Sequence, residues 1–261
     1  MLKEFWQYVS NPTKNPVAKK MGFLTESIAM EARAKRCKAS WGSHYQHCQA
    51  AILQASKRAV QKRTVLVLGA GSLFDVPLGV LATQFEKVLL VDLVFLKYAR
   101  NLAQQFDNVE LIEHDITESL ERIMVGLPFV DTPISWLEDS SIDLVISLNL
   151  ITQLPLIPVR WLIEHFEVSE QEGDILGKQL ILAHLLYLQA FNGEVCLIAD
   201  REGVEFNSSG QEIDRFDPWW DVEPPSIAHP KAIYSWQWEV MPLGETSRNK
   251  SQKNRVGVSF L

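Results

Sequence analysis

Two different hydrophobic rhythms divide this chain. Up to residue 63 the apolar positions return every three or four residues: Met30, Ala34, Cys37, Trp41, His44, Cys48, Ile52 and Ala55 mark one face of a helix. Asn11-Pro12 and Asn15-Pro16 punctuate its approach, and no further proline occurs before Pro77. The pattern predicts a long helix bent near Gly42, with Arg33, Lys35, Arg36 and Lys38 on its other faces.

From Thr64 the rhythm becomes that of alternating strands and helices. Short apolar runs at 65–69 (VLVLG), 87–92 (KVLLVD), 108–115 (NVELIEHD), 141–149 (SIDLVISLN) and 193–200 (GEVCLIAD) read as strands. Helical stretches at 76–85, 97–106 and 176–191 fall between them. Strands that are apolar nearly throughout are covered on both faces, which specifies a parallel sheet with right-handed crossovers. The end of the chain departs from this. Residues 201–217 predict a hairpin about Asn207-Ser208-Ser209-Gly210. Residues 232–242 and 255–261 are strand-like with only the polar loop GETSRNKSQKN between them, so they pair antiparallel. The expected fold is α/β: a doubly wound, mostly parallel seven-stranded sheet with an antiparallel last strand. A helical extension (1–63) precedes the Rossmann-like domain (64–261).

Charge sharpens the division. The net charge is −7, yet residues 1–63 hold 12 Lys/Arg against 3 Asp/Glu, and the remainder is strongly acidic. A basic arm packing on an acidic domain is the first reading of this asymmetry, and a nucleic-acid partner is the second. No apolar run is long enough to span a bilayer, and residues 1–14 lack the apolar core of a signal peptide, so a cytoplasmic location is expected. Cys37, Cys48 and Cys196 are odd in number and not spaced for zinc, which predicts reduced thiols. No metal site is expected from His44, His47 and Cys48, which lack a fourth ligand.

The candidate chemistry begins in TVLVLGAGSLFDVPL (64–78). Gly69 permits the turn off the first strand, and Gly71 lets backbone approach a ligand closely. A dinucleotide loop needs a third glycine at position 74, where its helix packs on the strand and faces the pyrophosphate; this chain has Phe74. S-adenosylmethionine has no pyrophosphate, so the loop favours that cofactor over NAD. Asp92 closes the second strand, where a carboxylate accepts hydrogen bonds from ribose hydroxyls. Asp115 ends the third strand, facing an adenine amino group or capping the turn that follows. Asn149 emerges from the fourth strand at the ligand-binding edge. Asp75 reads first as the cap of the helix opening at Val76-Pro77, and otherwise as a carboxylate that compensates for the lack of one at Val67.

VLVLGAG, VLLVD, ELIEHD, IDLVISLNLITQLP and the late antiparallel pair together resemble the class I S-adenosylmethionine-dependent methyltransferases over residues 64–261. The resemblance implies S-adenosylmethionine as cofactor. It places Gly69, Ala70 and Gly71 about the methionine part, Asp92 and Leu93 at the ribose, Asp115 and Ile116 about the adenine, and Asn149 on the reaction side. Two departures stand out: Val67 replaces an acidic residue two positions before the first glycine, and Leu73 replaces the third glycine of G-x-G-x-G.

Methyl transfer needs orientation more than acid–base machinery, so the acceptor is poorly encoded. Trp41, His44 and Tyr45 are the candidates for a substrate cap. His44 is either a base toward a hydroxyl acceptor or a structural histidine of the helix stripe. The expected function is a methyltransferase acting on a small molecule. The alternatives are a methyltransferase-like binding module without catalysis and an RNA methyltransferase that uses the basic arm.

Overall fold

The computed structural model describes residues 13, 15–228, 234–245 and 249–261. The sequence reading of residues 1–12, and residues 232–233 of the late strand, fall outside them.

Strands β1 (Thr64–Leu68), β2 (Lys87–Asp92), β3 (Val109–Glu113), β4 (Ile142–Leu148) and the start of β5 (Glu194–Asn207) lie parallel in the order β3-β2-β1-β4-β5. β8 (Lys250–Phe260) continues the sheet, antiparallel both to β5 and to the edge strand β7 (Ser235–Met241). The apolar runs divide between two cores with the two-residue period of a pleated strand. Val65, Val67, Val88, Leu90, Leu144 and Ile146 face one layer. Leu66, Leu68, Leu89, Val91 and Val145 face the other.

The sheet has eight strands, one more than the pattern predicts. β5 does not stop at Asp200: a bulge between Asp200 and Glu202 carries it on to Asn207, where a turn leads into β6 (Glu212–Phe216). β8 likewise begins at Lys250, so Ser251–Asn254, which read as loop, lie in a strand paired with the extension of β5.

The helical extension is broken elsewhere than predicted. After α1 (Pro16–Lys20) come α2 (Phe23–Arg36) and α3 (Lys38–Arg58), parted at Cys37 and not at Gly42. Gly42 sits inside α3, where a Cβ would meet nothing within 4 Å. Along α3, Trp41, Cys48, Ile52 and Ala55 share one buried cluster with β1, β4 and β5. The basic residues meet the acidic domain: Arg33 and Arg36 pair with Glu245, Arg58 with Glu194 and Arg63 with Asp143.

The remaining helices are α4 (Leu78–Gln84), α5 (Lys97–Ala103), α6 (Leu120–Met124), α7 (Leu156–Phe166) and α8 (Glu170–Gln189). α7 is hidden in the sequence by Pro155 and Pro158, both tolerated because they stand at the cap and in the first turn. α8 starts six residues ahead of its apolar run, because Ser169 and Glu172 form a reciprocal capping box. All three cysteines are buried free thiols, and no described helix is long and apolar enough to cross a membrane. His184 is a buried core residue on α8, bonded through Nε2 to Ser147 Oγ at 3.0 Å.

Candidate active site

A cavity of about 260 Å³ opens at the carboxyl ends of β1, β2 and β4, beneath α2 and α3. It is lined by every site residue that the sequence suggests: Gly69, Ala70, Gly71, Asp92, Leu93, Asp115, Ile116 and Asn149 from the sheet edge, and Trp41, His44 and Tyr45 from α3.

The glycine loop is tied to the end of β2. Gly69 N and Ala70 N donate to Val91 O at 2.9 and 3.1 Å, and Gly71 N donates to Asp92 Oδ2 at 2.9 Å. Gly69 has φ +79°, and a Cβ there would lie 2.9 Å from Leu148 O, a backbone atom that cannot step aside. The missing third glycine of G-x-G-x-G leaves its backbone behind: Leu73 keeps φ +63°, in the left-handed region, with its side chain buried. Holding a leucine there costs about 1–3 kcal/mol, which the burial of its side chain offsets. Phe74 packs against Tyr45 and Tyr98. α4 begins only at Leu78, with Pro77 at its cap, so its N-terminus stands seven residues beyond Gly71 and not directly after the loop.

Asp115 spends its carboxylate on its own turn, accepting from Thr117 N, Thr117 Oγ1, Ser119 N and Leu120 N at 2.7–3.0 Å. Its capping geometry is therefore complete, and Ile116 forms the neighbouring apolar wall. Asp75 departs from its expected role. α4 has no side-chain cap; Asp75 turns to the cavity, and Asn149 Nδ2 donates to its Oδ2 at 3.1 Å. Burial pushes the carboxyls of Asp75 and Asp92 up to about 6, against hydrogen bonds that favour their charged forms. Asn149 holds φ +48°, and its Oδ1 is buried without a hydrogen-bond partner, as is Trp238 Nε1.

His44 is 1% exposed and stacked on Trp238 at 3.9 Å. Trp236 Nε1 donates to its Nδ1 at 3.1 Å. An indole nitrogen only donates, so Nδ1 carries the lone pair and Nε2 the proton. Burial lowers the pKa to about 3, and His47 adds to the shift. The ring is therefore neutral, with its one basic nitrogen already engaged. The Hε1 resonance of His44 is expected not to move between pH 5 and 8 in an NMR titration; a midpoint near 6.5 would break this assignment. His44, Cys48 and Asp75 bring donor atoms within 4.8 Å of one another. Protons on Nε2 and on the thiol, whose pKa burial raises, make this a hydrogen-bonded cluster as it stands.

Among the lining residues that the sequence reading did not assign to the site are Glu26 and Glu31 on α2 and Trp238 on β7. Trp236 and Trp238 share one face of the edge strand β7 and pack on His44 and Trp41.

No protein-family model and no curated protein matches the chain. Among solved structures, the N-methyltransferase NodS of Bradyrhizobium japonicum WM9 with S-adenosyl-L-homocysteine aligns over 98% of this chain and 97% of its own, at 8% identity and TM-score 0.36. A 1,6-didemethyltoxoflavin-N1-methyltransferase of Burkholderia thailandensis aligns over 88% and 86%, at 12% identity and TM-score 0.40. YcgJ of Bacillus subtilis aligns over 58% of this chain at 14% identity and TM-score 0.30, and the chain spans 50% of that protein. Scores this low identify no relative, and the fold is assigned from strand order and direction. With β8 antiparallel between β5 and β7 beyond five parallel strands, the chain has the doubly wound, Rossmann-like fold of the class I S-adenosylmethionine-dependent methyltransferases.

Proposed function

We propose that the chain is an S-adenosylmethionine-dependent methyltransferase acting on a small molecule. The observation that carries this reading is the Gly69–Gly71 loop hydrogen-bonded to Asp92 at the edge of a cavity, with α4 starting only at Leu78, seven residues beyond Gly71. The residues present fit the donor. Gly71 leaves open the space beside Asp92 Oδ2 that a Cβ would approach to 3.7 Å, and Asn149 Oδ1 and Trp238 Nε1 await partners. In this reading Asp92 and Leu93 hold the ribose, Gly69 to Gly71 the methionine part, and Ile116 the adenine, with Asp115 ordering that loop. Asp75 takes the task that Val67, buried in β1, cannot perform, and meets the donor's amino group. When bound, the donor supplies an electrophilic methyl group on a sulfonium sulfur. The chain's own share is to orient the reactants, with Trp41, His44 and Tyr45 as wall rather than base. The internal ion pairs of Arg33, Arg36, Arg58 and Arg63 favour a basic arm that neutralises the acidic sheet over one that recruits RNA.

Thermal denaturation with S-adenosylhomocysteine and with NAD tests the assignment, since a ligand confined to the native state raises its stability. Stabilisation by the first alone is expected; stabilisation by NAD alone, or by neither, overturns the reading. The pH dependence follows from the two carboxyls near 6. Their charged forms accept the ribose and amino hydrogens, so affinity is weak below that pH and rises through it. One titrating carboxylate makes binding at pH 5 about tenfold weaker than at pH 7.5. A flat calorimetric profile across that range would remove Asp75 and Asp92 from the contact.

A further inference from the structure

The α2 side of the cavity carries a charge that the donor does not require. One face of α2 lines it through Phe23, Glu26, Ser27, Met30, Glu31 and Ala34, a helical repeat of three and four. Glu26 is exposed at the mouth. Glu31 lies within: its side chain is 5% exposed, and its Oε1 accepts from the ammonium of Lys35 one turn on. Glu31 Oε2 has no hydrogen-bond partner among the described residues. Lys35 itself is 54% exposed and stands outside the cavity. No lysine or arginine occurs among the described residues that line the space, whereas the rings of Trp41, Tyr45 and Trp238 do.

Lys35 offsets part of the cost of burying Glu31, and the open Oε2 facing the cavity can still take a cation or strong donor. Aromatic faces attract the same kind of group. An anionic acceptor would meet repulsion from Glu26 and Glu31, with no lysine or arginine among the described lining residues to relieve it. Resting on the methyltransferase reading above, we propose that the acceptor is a primary or secondary amine, held as its ammonium by Glu31 with its carbon skeleton against Trp41, Tyr45 and Trp238. For transfer the ammonium first gives one proton to water. The freed nitrogen lone pair then forms the new N–C bond as the C–S bond of the sulfonium breaks. The C–S electron pair stays on sulfur as a neutral thioether, and the positive charge passes to the methylated nitrogen. Glu31 is thus a specificity residue, which selects the cation and releases the free amine to the reaction.

The test is calorimetric titration of the full chain, saturated with S-adenosylhomocysteine, using phenethylamine, n-butylamine, 2-phenylethanol and phenylacetate as probes. Phenethylamine is expected to bind at least about tenfold more tightly than 2-phenylethanol, the difference of one charge-assisted hydrogen bond, and phenylacetate not measurably. Glu31→Gln is expected to bring the amine and the alcohol within about threefold of each other, while its thermal stabilisation by S-adenosylhomocysteine equals that of the unchanged chain. Equal or tighter binding of the alcohol, a preference that survives in Glu31→Gln, or no binding by either amine overturns the amine assignment and leaves the methyltransferase reading standing. Absence of any response to S-adenosylhomocysteine in the unchanged chain overturns both.

Discussion

Asp92→Ala is expected to abolish the thermal stabilisation given by S-adenosylhomocysteine while leaving the free protein nearly as stable as before. The side chain has two tasks that pull in opposite directions. Its Oδ2 accepts from Gly71 N at 2.9 Å and its Oδ1, more weakly, from Val94 N at 3.4 Å, which pins the glycine loop to the end of β2. Its charge is also enclosed, and burial raises the carboxyl to about 6, with Glu113 adding to the shift. For a group raised in this way, the stabilisation is fully present below the unfolded pKa near 4 and is lost as pH rises through about 6. At neutral pH the free protein therefore bears the cost of an enclosed carboxylate. Removing it relieves that cost and leaves Gly71 N unpaired, a penalty of about 1–3 kcal/mol. The two changes are of similar size and opposite sign. Binding has no such compensation. Two hydrogen bonds from ribose hydroxyls to a charged acceptor are worth about 1.5–3 kcal/mol each, so the dissociation constant rises at least about a hundredfold. At a ligand concentration a hundred times the original constant, stabilisation falls from about 2.7 kcal/mol to below about 0.5 kcal/mol. Differential scanning fluorimetry with and without ligand reads both quantities. A variant that keeps its ligand shift would place the ribose elsewhere. One that loses several kcal/mol without ligand would make Asp92 a fold residue first.

The division of labour at this site explains what the sequence could express. Gly69, Gly71 and Asp92 were legible because backbone geometry demands them: a positive φ against Leu148 O and a carboxylate closing the adjacent strand. Strands β1, β2 and β4 were legible because burial on both faces leaves no polar positions in their centres. Asp75 was legible only as an alternative, since an acidic residue before Val-Pro reads first as a cap. Only the delayed start of α4 at Leu78 frees it to meet Asn149, 74 positions away. Leu73 looked like a departure from the glycine pattern, and only its φ reveals that the loop conformation survived the substitution. Glu31 is flanked by basic residues in EARAKR, which reads as a solvated face. Its place in the cavity depends on the break at Cys37, for which the side chains give no local signal. The bend expected at Gly42 assumed that glycine marks a weakness, yet the helix bonds straight through it.

Trp41→Ala is expected to remove stability and ligand binding together, in contrast to Asp92→Ala. Trp41 is 2% exposed. Its Nε1 donates to the backbone oxygens of Glu239 and Val240 at 3.1 and 3.2 Å, joining α3 to the edge strand β7. Its ring meets Trp238 edge to face at 5.4 Å, and Trp238 in turn stacks on His44. Truncating a buried tryptophan costs about 3–5 kcal/mol, from lost transfer energy and the cavity left behind. In a chain of this size each kcal/mol moves the melting temperature by about 2–4 °C, so a fall of about 6–20 °C is expected. The same deletion removes a wall of the ligand cavity and the support of the Trp238–His44 stack. Trp41→Phe separates the two effects. It keeps most of the apolar volume but loses the indole N–H, which leaves the Glu239 and Val240 oxygens unsatisfied at about 1–3 kcal/mol, with the cavity wall in place. S-adenosylhomocysteine is therefore expected to stabilise Trp41→Phe by nearly the original increment and Trp41→Ala by much less. Equal ligand increments in both variants, each measured from its own unliganded melting temperature, would mean that α3 closes the cavity without shaping it.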